Sequence, residues 1–188
     1  MKVAIGSVVG GLILFFWQFL SWQLLNIHGP QMQYSPIQDQ VLECLKSNNL
    51  PEGEYILPNK PPNMDMAEYQ KEFNANYLGK PWAKVQYHHS FDNTMPLNLI
   101  RGFVIDIFAA FLLCMLLVGD PTLTFRKVLS TCISIGLIAY FTIPYLNSIW
   151  FKTNSIPDLI DAFVPWTIIG LVLGWLLPRK IVRQEAVK

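Results

Sequence analysis

LNLIRGFVIDIFAAFLLCMLLV, residues 97–118, decides the fold. Apart from Asn98, Arg101, Gly102 and Asp106 the run is apolar throughout. A hydrocarbon core about 30 Å thick takes roughly 20 helical residues at about 1.5 Å each, so the run is long enough to cross a bilayer. Val3 to Leu25 before it, and Val128 to Leu146 and Ile156 to Leu177 after it, have the same character. The composition agrees: 52% of residues are hydrophobic and 14% charged, against roughly 25% charged in ordinary soluble domains. These runs predict an all-α transmembrane protein, a four-helix membrane bundle with a small mixed α+β extracytoplasmic domain between spans one and two. The spans are placed at 1–26, 97–118, 128–146 and 156–178, with the outer domain at 27–96, an inner loop at 119–127, an outer loop at 147–155 and a tail at 179–188.

Basic residues set the orientation. Lys2, Arg126, Lys127, Arg179, Lys180, Arg183 and Lys188 flank one set of helix ends, whereas the short loop on the other side has only Lys152. The positive-inside rule then places both termini and the 119–127 loop in the cytoplasm. The first apolar run is far longer than the h-region of a cleaved signal peptide, about 7 to 15 residues, and Ser21-Trp22-Gln23 is no small-residue cleavage site, so it reads as a retained anchor. Cys44 alone lies outside, while Cys114 and Cys132 fall near cytoplasmic helix ends, where thiols stay reduced. No structural disulfide is expected.

The outer segment carries eight carboxylates against five lysines, an ordinary solvated balance. Ser35-Pro36 opens a helical pattern, Ile37, Val41, Leu42 and Leu45, that should end near Asn49. Glu54 to Leu57 reads as a short strand. Met64 to Leu78 predicts a second helix, with Met66, Tyr69, Phe73 and Tyr77 on one stripe and Gly79 beyond its end, and Trp82 to His88 alternates as a second strand. Two helices and two strands of this size bury little core.

Asp106 is the first candidate functional residue. It lies about 14 Å into span two at the helical rise, near the bilayer midplane, where an ionised carboxylate is costly and should face the bundle or water. Gln18 of span one lies at a similar depth and is its natural partner. A proton or ion relay is the functional reading; polar adhesion between helices is the plain one. Arg101 and Asp161 sit about one turn inside the outer boundary on spans two and four, which suggests an ion pair, with snorkelling of Arg101 to the headgroups as the alternative. Asp158 stands at capping-box spacing from Ser155. Gly6 and Gly10, Gly170 and Gly174, and Gly102 beside Ala109 and Ala110 are small-residue patterns that permit close helix contact. Pro144 and Pro165 are expected to kink spans three and four. His88 and His89, adjacent on the expected strand, point to opposite faces and do not suit one metal. No metal site and no cofactor are expected, and the few cytoplasmic basic residues suit headgroup anchoring rather than nucleic acid.

Phe16-Trp17-Gln18-Phe19-Leu20-Ser21-Trp22, Gly53-Glu54-Tyr55-Ile56-Leu57-Pro58, Gly79-Lys80-Pro81-Trp82-Ala83, Arg101-Gly102 with Asp106 and Ala109-Ala110, and Gly174-Trp175 together resemble a family of uncharacterised bacterial four-span inner-membrane proteins. The resemblance implies a multi-pass protein of a bacterial inner membrane and transfers no catalytic residue.

The residues favour a non-enzymatic scaffold or accessory protein that contacts a partner, lipid or ligand through its outer domain, within the lipid bilayer and with a membrane-protein partner or a second copy of itself. A small proton-coupled transporter using Asp106 is the alternative. A membrane enzyme acting on lipid or envelope material, with His88, His89 and Asp92 at the surface, is the third reading.

Overall fold

The structure, a computed structural model, describes residues 2–178. The expected 179–188 tail lies outside the described residues. Four helices are long and apolar enough to cross a membrane: Lys2–Leu24, Met95–Val118, Phe125–Phe151 and Ile156–Leu176. The chain divides into two compact units, one holding these four spans and the segment through Gln33, the other Tyr34–Asn93.

Span one is an α-helix, α1 (Lys2–Phe19), that closes in a π-helical turn over Leu20–Leu24. Asn26, at φ 47°, breaks it in the left-handed conformation that asparagine tolerates at helix ends, and a short 3-10 turn, Gly29–Gln31, follows with Pro30 in its second position. Span two is α4 (Met95–Val118), opened by Pro96 in the first turn. Span three starts at Phe125, three residues before its apolar run, because the Thr124 side chain accepts a hydrogen bond from the Lys127 amide and caps the turn that carries Arg126 and Lys127. It comprises α5 (Phe125–Tyr140), a π turn (Phe141–Tyr145) at Pro144, and α6 (Leu146–Phe151). The widened turn accommodates a residue with no N–H to give. Span four, α7 (Ile156–Leu176), runs unbroken through the buried Pro165.

Span one lies between spans two and four, and span three packs on span four. Glycines set these contacts. A Cβ built on Gly10 would lie 2.8 Å from Ala110 Cβ, and one on Gly6 would lie 2.8 Å from Cys114 Sγ. Gly170 and Gly174 meet Leu129 and Phe125 of span three as closely, at 2.9 and 2.8 Å. Gly102 belongs to no such contact: a Cβ there meets nothing within 4 Å. Its neighbours Ala109 and Ala110 suggested a continuous small face, yet the space beside Gly102 is open. Two glycines outside the Gly6/Gly10 and Gly170/Gly174 patterns take its place. Gly11 sits against Ile107 at 2.7 Å, and Gly136 against the Ala162 carbonyl and the Trp166 ring.

All four spans contribute to one buried cluster towards the Lys2 end: Leu14, Leu113, Cys114, Leu117, Val128, Cys132, Ile169, Leu173 and Leu177. Lys2 Nζ closes this end by donating to the carbonyls of Leu177 and Pro178 at 3.0 and 3.5 Å, where the last turn of span four has acceptors without helical partners. The loop to span three is a turn in which Asp120 accepts from the Thr122 amide and hydroxyl, each at 2.7 Å, and from Lys127 at 3.1 Å.

The second unit holds α2 (Gln38–Ser47), β1 (Gly53–Leu57), α3 (Met66–Asn76) and β2 (Ala83–Tyr87). The strands pair antiparallel with Tyr55 opposite Val85. Pro36 lies before α2 rather than in its first turn, and the N-cap position falls on Ile37 rather than on Ser35. Asp65, whose Oδ2 accepts from the Ala67 amide at 2.8 Å, caps α3, and the strand stops at Tyr87, so His88 and His89 lie beyond it. Gly79 takes the positive φ, 80°, that ends the α3 segment. Of this unit's residues only Tyr87 is buried.

Candidate functional site

The richest polar cluster ties the end of span one to the start of span four. Trp17 and Ser21, four residues apart on span one, share a face. Both donate to Asp161 Oδ1 of span four, the indole N–H at 2.9 Å and the hydroxyl at 2.6 Å. His28, brought back by the turn at Asn26, sets Nε2 2.8 Å from Asp161 Oδ2 and Nδ1 2.6 Å from Gln31 Oε1. Gln31 Nε2 donates in turn to Asp158 Oδ2 and to the Asn154 carbonyl, each at 2.7 Å. The Trp22 ring stacks on the imidazole, with centroids 3.9 Å apart and planes 6° from parallel. His28 and Ser21 are buried, whereas the Asp161 side chain keeps 23% of its surface.

The π turn at Leu20–Leu24 produces this geometry. It places the Leu25 amide on the Leu20 carbonyl and the Ile27 amide on the Ser21 carbonyl, at 2.8 and 3.0 Å. π turns are rare and recur at functional sites. Here one lets Ser21 face span four while Trp22 faces the returning His28.

Two expectations are corrected by this cluster. Arg101 is exposed and forms no ion pair with Asp161 among the described residues. Its depth matches, but span two packs on span one, and the ring that reaches Asp161, His28, comes from the segment after span one. Asp158 is no capping-box partner either. Ser155 makes no side-chain cap; its Oγ meets the Tyr140 hydroxyl at 3.0 Å, and Asn154 Oδ1 accepts from the Ile156 amide at 3.1 Å instead.

Burial disfavours the charged form of the His28 ring. The hydrogen bonds to Gln31 and Asp161, with the charges of Asp161 and Asp158, outweigh it, so the His28 pKa is raised above 6.5.

The second polar site is the Asp106–Gln18 pair, in which Gln18 Nε2 donates to Asp106 Oδ1 at 3.0 Å. Asp106 is buried, and its Oδ2 has no hydrogen-bond partner. An unsatisfied buried acceptor costs about 1–3 kcal/mol. Gln18 also lines a pocket of about 200 Å³ together with Phe15, Phe19, Trp22, Gln23, Met95 and Leu99.

His88, His89 and Asp92 do not converge. The His89 amide donates to Glu52 at 2.8 Å, Ser90 Oγ donates to Asp92 at 2.8 Å, and the described residues contain no metal-binding group of three His, Cys, Asp or Glu.

Sequence reasoning missed Trp17, Ser21, Trp22, His28 and Gln31. One signal was available: Asp158 and Asp161 stand one turn apart at the start of an apolar helix, and two acids on one face there need donors. His28 carried no mark, because its contact with span four depends on a turn that periodicity does not show. No protein-family model, curated protein or solved structure matches the chain.

Proposed function

We propose that this is a non-enzymatic protein of a bacterial inner membrane, with both termini in the cytoplasm, that contacts a partner through the segment Tyr34–Asn93 on the outer face. The observation that carries this reading is the poor burial of that segment. Tyr87 is its one buried residue, and Ile37 at the N-cap of α2 with Val41 and Leu42 on it are about half exposed, at 52, 45 and 54%. These three follow helical spacing on a helix whose other positions include Asp39, Glu43 and Lys46. A contiguous apolar stripe rimmed by charge is the usual mark of a contact surface. The polar groups of the spans, by contrast, are mostly spent on one another at Asp161 and Ser155, which suits a scaffold better than a conduit. Purification from native membranes in mild detergent, with the mass of the intact particle, tests it. A stoichiometric foreign subunit that is lost in Val41→Asp/Leu42→Asp supports the reading, and a particle composed of this chain alone, unchanged by those substitutions, refutes it.

A second reading, a small proton-coupled transporter, is favoured by the unpartnered Asp106 Oδ2 and by the pocket that Gln18 helps to line. Asp106→Asn that folds normally but abolishes a cellular phenotype would support it. Asp106→Asn without phenotype would remove it.

A further inference from the structure

The atoms around His28 fix the charge on its ring. Gln31 Nε2 faces two oxygens that can only accept, Asp158 Oδ2 and the Asn154 carbonyl. The amide orientation is therefore set, and Oε1 is the atom 2.6 Å from His28 Nδ1. On the other side of the ring, Asp161 Oδ2 lies 2.8 Å from Nε2, and its companion Oδ1 already takes two donors, the bonding pattern of a carboxylate. Both ring nitrogens thus face acceptors. A neutral imidazole has one N–H and one lone pair, so against an ionised Asp161 either tautomer would set a lone pair against an oxygen at hydrogen-bond distance, and with that carboxylate charged only the imidazolium satisfies both. The stacked Trp22 face adds a cation–π contact of the same preference.

We propose that His28 is a proton-operated clasp: as an imidazolium it fastens the segment following span one to the start of span four, and loss of one ring proton turns one of its two hydrogen bonds repulsive and frees that segment. The charges acting on the ring are Asp161 and Asp158 of span four. Span one faces it with uncharged Trp22 and, through Asp161, with Trp17 and Ser21, and residues 26–33 contain no other charged side chain. The raised pKa gives the direction. Because the folded state holds the proton more tightly than the unfolded one, the stabilisation is complete below pH 6.5 and is lost as pH rises through the folded value, above 6.5. A clasp with this sign is closed on the acidic side of the folded midpoint and opens as pH rises through it. Charged histidines that flip a contact are an established form of pH response, and this one acts on the last turn before the chain enters the Tyr34–Asn93 unit. It stands independently of the proposed partner contact.

The test uses the full chain in lipid nanodiscs. His88→Gln/His89→Gln leaves His28 as the sole histidine, and ring nitrogen-15 NMR follows it through pH. The expected result is two protonated ring nitrogens at pH 6.5, a midpoint above 6.5, and a downward shift of that midpoint in Asp161→Asn. A spin label at Met32→Cys in a Cys44→Ser background should be immobile at low pH and mobilise with the same midpoint, and in His28→Gln it should be mobile at every pH. A ring that is neutral at pH 6.5, or a label whose mobility ignores the ring titration, overturns the proposal. The ring measurement needs no change at His28, so it decides even where His28→Gln fails to fold.

Discussion

Asp161→Ala removes one side chain and strands three donors. The Trp17 indole, the Ser21 hydroxyl and the His28 ring all end on its two oxygens. Hydrogen bonds between membrane helices average about 0.6 kcal/mol and reach about 1.7 in double-mutant cycles. Three of them are therefore worth about 2 kcal/mol at the average and about 5 at the upper end. At roughly 2–4 °C per kcal/mol for a chain of this length, the lower figure is a melting-temperature loss of about 4–8 °C. The assay is thermal unfolding in a fixed detergent, followed by tryptophan fluorescence, with Trp17→Phe, Arg101→Ala and the double variants alongside. Trp17→Phe and Asp161→Ala should be non-additive, since they share one hydrogen bond, and Arg101→Ala and Asp161→Ala should be additive, since they share none. A melting temperature for Asp161→Ala equal to that of the wild type refutes the reasoning, and coupling to Arg101 would restore the ion pair that the geometry excludes.

Further outcomes test other parts of the fold. Gly136→Ala drives a methyl group into the Ala162 carbonyl and the Trp166 ring and should cost about 1–3 kcal/mol as an overpacked contact. Gly102→Ala, with open space beside it, should leave the melting temperature unchanged or raise it, and equal behaviour of the two variants would contradict the packing of span three on span four. The hydrogen bonds from Thr122, with Lys127 beside them, hold the Asp120 carboxyl down at about 2 from 3.8. A depressed folded pKa means that the turn's stabilisation is present above pH 3.8 and lost as pH falls through about 2. A spin label at Pro121→Cys in a Cys44→Ser background should therefore keep constant mobility down to pH 4, and mobilisation between pH 6 and 4 would contradict the turn geometry.

The four helices were legible because a bilayer imposes a length that hydropathy reveals directly, as in 97–118. Their ends were less so. Thr124 starts span three before its apolar run, and α6 carries it to Phe151, because caps and polar turns are invisible to a count of apolar residues. The Asp106–Gln18 hydrogen bond follows from matching depths on neighbouring helices. Depth alone failed for Arg101, since it says nothing of which helices are adjacent. The Asp161 cluster was hidden for a similar reason: it depends on a π turn and on a reversal at Asn26, neither of which leaves a periodic trace. Gly11 and Gly136 were missed because a contact glycine needs only one close neighbour, not a paired glycine four residues away.

The partner reading rests on four membrane crossings with the Tyr34–Asn93 segment outside, and the cysteines allow a direct test. Cys44 is exposed on α2, whereas Cys114 and Cys132 are buried among the spans. A membrane-impermeant maleimide applied to sealed, right-side-out membranes should label Cys44 in the wild-type protein at once, and should label Pro121→Cys in a Cys44→Ser background only after the membranes are opened. Protection of Cys44 until lysis, or labelling of both positions from the same side, would contradict the account.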